Sequence, residues 1–517
     1  MGLLRSTAVV SGMTLLSRIF GLLRDMVFAW VFPVGAGTDA FFIAFKLPNF
    51  LRRLFAEGAF SQAFVPVLAE YKVKADPQAT AELVARVAGT LATVLFLLTL
   101  LVVVATPLFV MLIAWGYIGE PEKIALTSDM LRITFPYILF ISLTALAAGI
   151  LNTWNRFAVP AFTPVLLNLS LIACALWLAP HLERPVMALA WGVFIAGVVQ
   201  LGFQLPFVAR LGLLRWPRWG GRDPGVRRIG RLMLPGILGS SAMQINLLFD
   251  IVIASFLAEG SITWLYYSDR LMEFPLGVFG IALATVILPG LSEQHALTRP
   301  DAFSRTLDWA VRWVVIIGLP AAVGLGMLAG PLLATLFYRG AFTATDVTMA
   351  GYSLFAYAFG LLGFMLVKVL VPGYYARQDT KTPVRISLVA MLVNMIFNVL
   401  AVLALLAIDF PGPHMGLALA TALSSFVNAL LLWRGLRRDG IYRPAPGWGA
   451  LLVQVGLASL GMGLLLWWLA GGIESWLAAD TFERAFRLAG VVTAGVGSYF
   501  GLLVLLGWRW RRFVRSS

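Results

Sequence analysis

The chain has 517 residues, of which 60% are hydrophobic and 12% charged, with a formal net charge of +14. Soluble domains carry roughly 25% charged residues, so this composition excludes a soluble enzyme or binding module and indicates an integral membrane protein. Apolar runs of about 20 residues recur along the whole length between short polar breaks, so helices rather than a barrel are the spanning elements.

Loops and Pro/Gly breaks divide the chain into fourteen predicted spans, at 6–33, 38–70, 83–113, 125–150, 158–180, 185–208, 226–257, 262–290, 306–329, 345–373, 383–407, 414–437, 447–470 and 482–508. The first apolar run follows Arg5, lacks an A-x-A-like cleavage site and continues through Arg18 and Arg24 to Phe32, which predicts a retained helix rather than a signal peptide. A single cysteine, Cys174, excludes an intrachain disulfide and reads as a small core residue.

Lys and Arg crowd alternate loops. One set holds Arg5, Lys72, Lys74, the seven arginines between Arg210 and Arg231, the group from Arg434 to Arg443 and the C-terminal tail. The opposite set holds only Lys123, Arg184, Arg339, Arg484 and Arg487. The positive-inside rule then places both termini in the cytoplasm. The basic balance needs no nucleic acid, because positive-inside bias and anionic membrane lipid account for it.

Weak self-similarity links the two halves. RDMVFAWVF (24–32) resembles FDIVIASFL (249–257), FVPVLAEY (64–71) resembles ILPGLSEQ (287–294), and TPV recurs at 163–165 and 382–384. The offsets are all about 220 residues, which predicts two parallel six-helix lobes related by an axis along the membrane normal, with two further helices. The expected organisation is an all-α polytopic protein with an N-lobe at 1–220, a C-lobe at 221–443 and spans 13 and 14 at 444–517.

Most of the intramembrane charge falls in spans 1, 2 and 8: Arg18, Arg24 and Asp25; Asp39, Lys46, Arg52, Arg53 and Glu57; and Asp269, Arg270 and Glu273. A charge at mid-membrane costs about 2.5–3.5 kcal/mol on the lenient insertion scale, so these groups must face protein or water. Ser17, Gly21 and Arg24 share one helical stripe, and Arg18, Leu22 and Asp25 its neighbour. Span 2 is too long for a straight crossing, and Pro48, Gly58 and Pro66 can bend it. Pro275, Gly277, Gly280 and Pro289 can do the same in span 8, and irregular backbone is tolerated where it lines a hydrated cavity. The charges could pair among themselves, as Arg53 with Glu57, Arg270 with Glu273 and Arg18 with Asp25. Pairing within a helix does not explain why Arg18, Arg24, Arg52 and Arg270 are all arginine; a bidentate anion such as phosphate does.

The stretches SRIFGLLRD (17–25), TDAFFIAFKLPNFLRRLFAEGAFSQAFVPV (38–67), ILNTWNRFAVPAFTPVLLN (150–168) and WLYYSDRLMEFPLGVFGIAL (264–283) resemble the MurJ (MviN) lipid II flippases of the multidrug/oligosaccharidyl-lipid/polysaccharide exporter superfamily. The resemblance implies two lobes around a cationic cavity, a groove for the polyprenyl tail at spans 13 and 14, and passage of the undecaprenyl-pyrophosphate-linked disaccharide-pentapeptide to the outer leaflet by alternating access. It makes Arg18, Arg24, Arg52 and Arg270 the pyrophosphate-facing cations. Asp39, Asn49 and Ser61 would line the substrate path with Glu273, which would orient Arg270 or meet sugar or peptide. Asp25, Arg53, Glu57 and Asp269 would serve the gate between lobes. A bacterial inner-membrane location, a functional monomer and contact with other cell-wall synthesis proteins are further expectations.

A second polar set comprises Asp250 in span 7, Asn394 and Asn398 one turn apart in span 11, and Thr421 in span 12. Their oxygens suit a hard cation, with Na⁺ the candidate coupling ion; equally, the amides and hydroxyl could only bond across helices.

Other functions fit less well. A flippase for a different polyprenyl-linked oligosaccharide shares these features, whereas an exporter of cationic drugs should concentrate carboxylates. A glycan-polymerising enzyme needs a positioned acid, base or metal, yet His181, His295 and His414 are scattered, and no HExxH, GxSxG or nucleotide-binding signature occurs. No catalytic residue is expected.

Overall fold

The computed structural model describes residues 3–52, 60–74 and 76–508, and their side chains except at 3–8, 235–244 and 281. Arg53 and Glu57 lie outside the described residues. Among the described residues every regular element is helical, as expected where no water is available to satisfy backbone groups. Among the described residues, eleven helices are long and apolar enough to cross a membrane, and they coincide with predicted spans 3–6 and 8–14. Helices Leu3–Val31, Ala36–Arg52 with Phe60–Lys74, and Pro224–Ala254 occupy the other three. The protein is an all-α polytopic membrane protein.

Local chemistry sets the helix starts. Asp76 precedes Pro77, and Asp223 precedes Pro224; the Asp223 carboxylate accepts from the backbone N–H of Gly225 (2.8 Å) and Val226 (3.1 Å). Proline at the first helical position loses no bond, because that N–H has no intrahelical partner. Thr343 and Asp346 form a reciprocal capping box at the start of Ala344–Tyr375. The irregularity expected in span 8 is present: helix Ser261–Pro275 passes through a wide turn at Leu276–Ile281 into Ala282–Ala296. Where one bent span 2 is predicted, two helices are described, each with an internal proline, Pro48 and Pro66.

The chain divides into two compact units, Met1–Gly260 and Ser261–Ser517. Helix Pro224–Ala254 therefore packs with the first unit, although the repeat boundary at 220/221 precedes it. Its attachments explain this: Arg228 Nη1 meets Glu70 Oε2 at 2.8 Å, Arg86 Nη1 meets Asp223 Oδ2 at 2.6 Å, and Ser255 Oγ accepts from Gly116 N at 2.9 Å. Repeat similarity and packing mark different boundaries.

In the first unit the core gathers Phe60, Phe64, Leu68, Val84, Ile150 and Leu151. In the second, Leu307, Val314, Leu361, Val369 and Leu432 form its centre. There, helices Ala344–Tyr375 and Met415–Arg438 approach backbone to backbone: a Cβ on Gly360 would lie 2.6 Å from the Ala422 Cα, and one on Gly363 would strike Ser425. Small residues permit such contact where no hydrophobic drive exists between helices in lipid. The last two spanning helices, Trp448–Ala470 and Thr481–Leu505, belong to the second unit, where Tyr499 donates to the Ile316 carbonyl at 2.6 Å.

Candidate functional site

Arg24 and Asp25 form a buried ion pair in the first unit. Asp25 is 0% exposed and Arg24 8%. Arg24 donates through Nε (2.9 Å) and Nη2 (2.6 Å) to Asp25 Oδ1, and through Nη1 to Asn168 Oδ1 at 3.1 Å. Asn168, on helix Ala158–Ala173, in turn donates from Nδ2 to the Ser17 carbonyl at 3.2 Å. The Arg24 guanidinium also lies 5.6 Å from the centre of the Phe28 ring. A carboxylate, an amide and an aromatic face thus offset the desolvation of one cation.

The alternative pairing of Arg18 with Asp25 is not formed; Asp25 instead takes Arg24. Residues seven apart are two turns apart, about 10 Å along the helix, while Arg24 can fold back onto its chain neighbour. Arg18 is exposed.

Arg52 is half-buried and donates from Nε (3.0 Å) and Nη2 (2.8 Å) to Asn49 Oδ1, one turn earlier on the same helix. The neutral amide oxygen of Asn49 accepts both of these bonds. Asp39, at the start of that helix, is buried and accepts from the Gly260 backbone N–H at 2.7 Å. Ser61 is half-buried on helix Phe60–Lys74.

In the second unit, Asp269, Arg270 and Glu273 lie on helix Ser261–Pro275. The expected Arg270–Glu273 pair is present at 3.4 Å, one turn apart, with the glutamate exposed. This contact is long and both groups are partly exposed, so by itself it contributes little.

The Asn394–Asn398 set is a buried network. Asn398 Nδ2 donates to Asn394 Oδ1 at 2.9 Å, and Asn394 Nδ2 donates to Thr421 Oγ1 and Ser424 Oγ, each at 3.3 Å. Thr421 gives its own hydroxyl proton to the Leu417 carbonyl. These bonds join helices Lys381–Ala407 and Met415–Arg438, and Ser424 is a member that the sequence reading omitted. Asp250 belongs to the first unit and is half-buried. Among the described residues no group of three or more His, Cys, Asp or Glu could hold a metal ion. Any cation here would rest mainly on neutral amide and hydroxyl oxygens, donors that suit Na⁺ better than a transition metal.

Sequence reasoning missed two further constellations. Asn168 fixes Arg24, and its signal was a lone amide in an apolar span. The second is the buried carboxylate of Asp308, which accepts from Tyr442 Oη (2.8 Å), Trp448 Nε1 (2.8 Å) and Arg312 Nε (2.7 Å). It clamps the connector between helix Met415–Arg438 and helix Trp448–Ala470 to helix Pro300–Met327. Tyr442 lies in that connector, outside the spanning helices. Burial, together with the negative charge of Asp308, pushes its hydroxyl above the usual tyrosine value.

Residues 28–486 match the family described as lipid II flippase MurJ. The chain is 50% identical to the probable lipid II flippase MurJ of Vibrio cholerae serotype O1, over 98% of this chain and 97% of that protein. It is 41% identical to the lipid II flippase MurJ of Burkholderia cenocepacia, over 100% of both. Among solved structures, a lipid II flippase MurJ in an inward closed conformation aligns with a TM-score of 0.81 at 26% identity, covering 98% of this chain and 100% of the other. An inward-facing multidrug resistance MATE transporter of the MOP superfamily shares the fold, with a TM-score of 0.65 at 14% identity over 84% of this chain and 98% of that one.

Proposed function

The chain belongs to the lipid II flippase MurJ family, and on that premise we propose that it carries lipid II from the inner to the outer leaflet of the bacterial cytoplasmic membrane by alternating access. The family match over residues 28–486 carries this reading. The protein is a transporter: it makes and breaks no bond in the lipid, and its task is to hold a charged headgroup within a low-dielectric slab.

Arg18, Arg24, Arg52 and Arg270 take the pyrophosphate. Arg18 is exposed, Arg52 bonds Asn49, and Arg270 meets Glu273. Arg24, held by Asp25 and Asn168, serves as a fixed point of positive potential or exchanges Asn168 for phosphate oxygen. Asp39, Asn49, Ser61 and Glu273 line the substrate path, with Asp25, Arg53, Glu57 and Asp269 at the gate. Na⁺ at Asp250, Asn394, Asn398 and Thr421 supplies coupling to the extent that it binds one access state more tightly than the other. The protein works as a monomer, with both termini cytoplasmic, among membrane lipids and other cell-wall synthesis proteins.

Depletion of the protein in cells, followed by measurement of the leaflet that holds lipid II, tests the assignment. Lipid II should accumulate in the inner leaflet. Accumulation in the outer leaflet, or none at all, rejects it.

A further inference from the structure

The second unit contains an apolar cavity of about 650 Å³, within the range of about 300–1,000 Å³ typical of small-ligand sites. Its walls come from helices Pro300–Met327, Ala344–Tyr375 and Met415–Arg438, the connector after Arg438, and the first turns of Trp448–Ala470; Val315, Leu370, Ala429, Trp433, Tyr442 and Trp448 line it. Leu430 and Leu452 line it too and are about half exposed, at 48% and 51%, so hydrocarbon side chains flank its opening.

Two features define what it can hold. First, two of its aromatic walls, Tyr442 and Trp448, have their polar ends engaged elsewhere. The Tyr442 hydroxyl and the Trp448 indole N–H both donate to Asp308, while Arg312 binds Asp308 and also donates to the Ala445 and Pro446 carbonyls at 2.9 Å each. The connector is thereby pinned with ring carbon available to the cavity, and a polar ligand would find few partners there. Second, its surroundings are cationic. Arg437 is exposed and packs over the Trp433 ring at 4.8 Å, and Arg443, exposed, sits between lining residues Tyr442 and Pro444. The nearby acid Asp439 faces a different arginine, Arg377, at 3.6 Å. No ion pair engages Arg437 or Arg443 among the described residues.

An apolar slot with a cationic rim, opening from helices that lie in a bilayer, complements an amphiphile whose anionic head is joined to hydrocarbon. We propose that this cavity seats one acyl chain of an anionic membrane phospholipid, with the phosphate against Arg437 and Arg443. The lipid then fills the cavity, joining helix Met415–Arg438 to the connector that leads into the last two helices.

The test uses the full-length protein in phosphatidylcholine nanodiscs containing a phosphatidylglycerol probe with a photoreactive diazirine near one acyl terminus. Cross-links mapped by mass spectrometry should concentrate in 426–433 and 442–452. Excess phosphatidylglycerol should suppress them and excess phosphatidylcholine should not. Leu430→Trp and Leu452→Trp, at exposed positions where folding is not at stake, should each reduce labelling, as should the double variant Arg437→Gln/Arg443→Gln. Labelling spread evenly over other lipid-facing helices, or undiminished in all three variants, overturns the proposal. Suppression by undecaprenyl phosphate without suppression by phosphatidylglycerol also overturns it, by assigning the cavity to a polyprenyl tail. None of these outcomes bears on whether the protein moves lipid II.

Discussion

Asp25 accepts two hydrogen bonds from Arg24, its immediate neighbour in the chain, through a single oxygen at 2.9 and 2.6 Å, and it is completely buried. Neighbouring residues on a helix point about 100° apart and do not ordinarily face one another. The arginine side chain must curl back along the helix, which places its third nitrogen on Asn168 of another helix. Removing the carboxylate leaves a buried cation without its counter-charge, at a cost of about 3–5 kcal/mol. Asp25→Ala should therefore lower thermal stability in detergent markedly, and Arg24→Ala/Asp25→Ala should recover much of that loss. A double-variant loss equal to the sum of the two single losses would show that the pair is not coupled.

Asn168 should matter through Arg24. Asn168→Ala leaves one Arg24 nitrogen and the Ser17 carbonyl without this partner, a loss of about 1–3 kcal/mol by thermal unfolding. Lipid II binding, measured on the purified protein, should weaken more than it does for an alanine substitution at an exposed position on the same helix. Asn168→Asp should weaken it further, because a second carboxylate offsets the positive potential.

For the headgroup cations, alanine at Arg18, Arg52 or Arg270 should abolish flipping while leaving abundance in the membrane nearly unchanged. Lysine should rescue only in part, since it retains the charge and loses the planar fork. Normal flipping by the three alanine variants would remove the arginines from the binding scheme.

Close helix contact predicts a steric penalty. Gly360→Ala puts a methyl group 2.6 Å from Ala422 Cα, a backbone atom that cannot move alone. It should destabilise the second unit by about 1–3 kcal/mol or more. Gly351→Ala, on the same helix with only the tip of Leu333 near, at 4.0 Å, should be close to neutral in the same melting assay.

Alkaline stability should report on Tyr442. Its folded pKa is raised above the unfolded value of about 10, so between those two values the native state retains a proton that the unfolded state has lost. The stabilisation is fully present below about pH 10 and declines as pH rises beyond it. Tyr442→Phe should flatten that decline in thermal unfolding between pH 9 and pH 11, ranges chosen around the tyrosine value of about 10. An unchanged slope would assign the alkaline loss to other tyrosines.

Topology is best probed at sites that tolerate a side chain. Gly220, an obvious choice in the arginine-rich loop, would bring a Cβ within 2.5 Å of the Arg86 Cβ, whereas Trp216 is 85% exposed. Trp216→Cys and Glu474→Cys, in a background with buried Cys174 changed to Ala, should react with an impermeant thiol reagent from opposite sides of the membrane. Labelling from the same side contradicts the proposed orientation.

Much of the architecture was legible because local chemistry decides it. Apolar length marks a span, and Pro275 with Gly277 and Gly280 marks an irregular turn; each follows from a few consecutive residues. The intramembrane arginines were legible too, because a charge in lipid is expensive wherever the chain folds. Their partners were not. Arg24 rather than Arg18 takes Asp25, Asn168 arrives from another helix, and Ser424 joins the amides of Asn394 and Asn398, because rotamers and helix crossings choose among donors that all satisfy the sequence pattern. The same holds for Asp308, whose three donors come from its own helix, the connector and the start of helix Trp448–Ala470, and for Gly360 and Gly363, whose close approach to Ala422 and Ser425 only the packing shows. Sequence determined which segments enter the membrane and which carry charge into it, since transfer from water is a property of each segment alone. Tertiary structure decided which charges are offset and which stay available, since that depends on distances of a few ångströms between residues far apart in the chain.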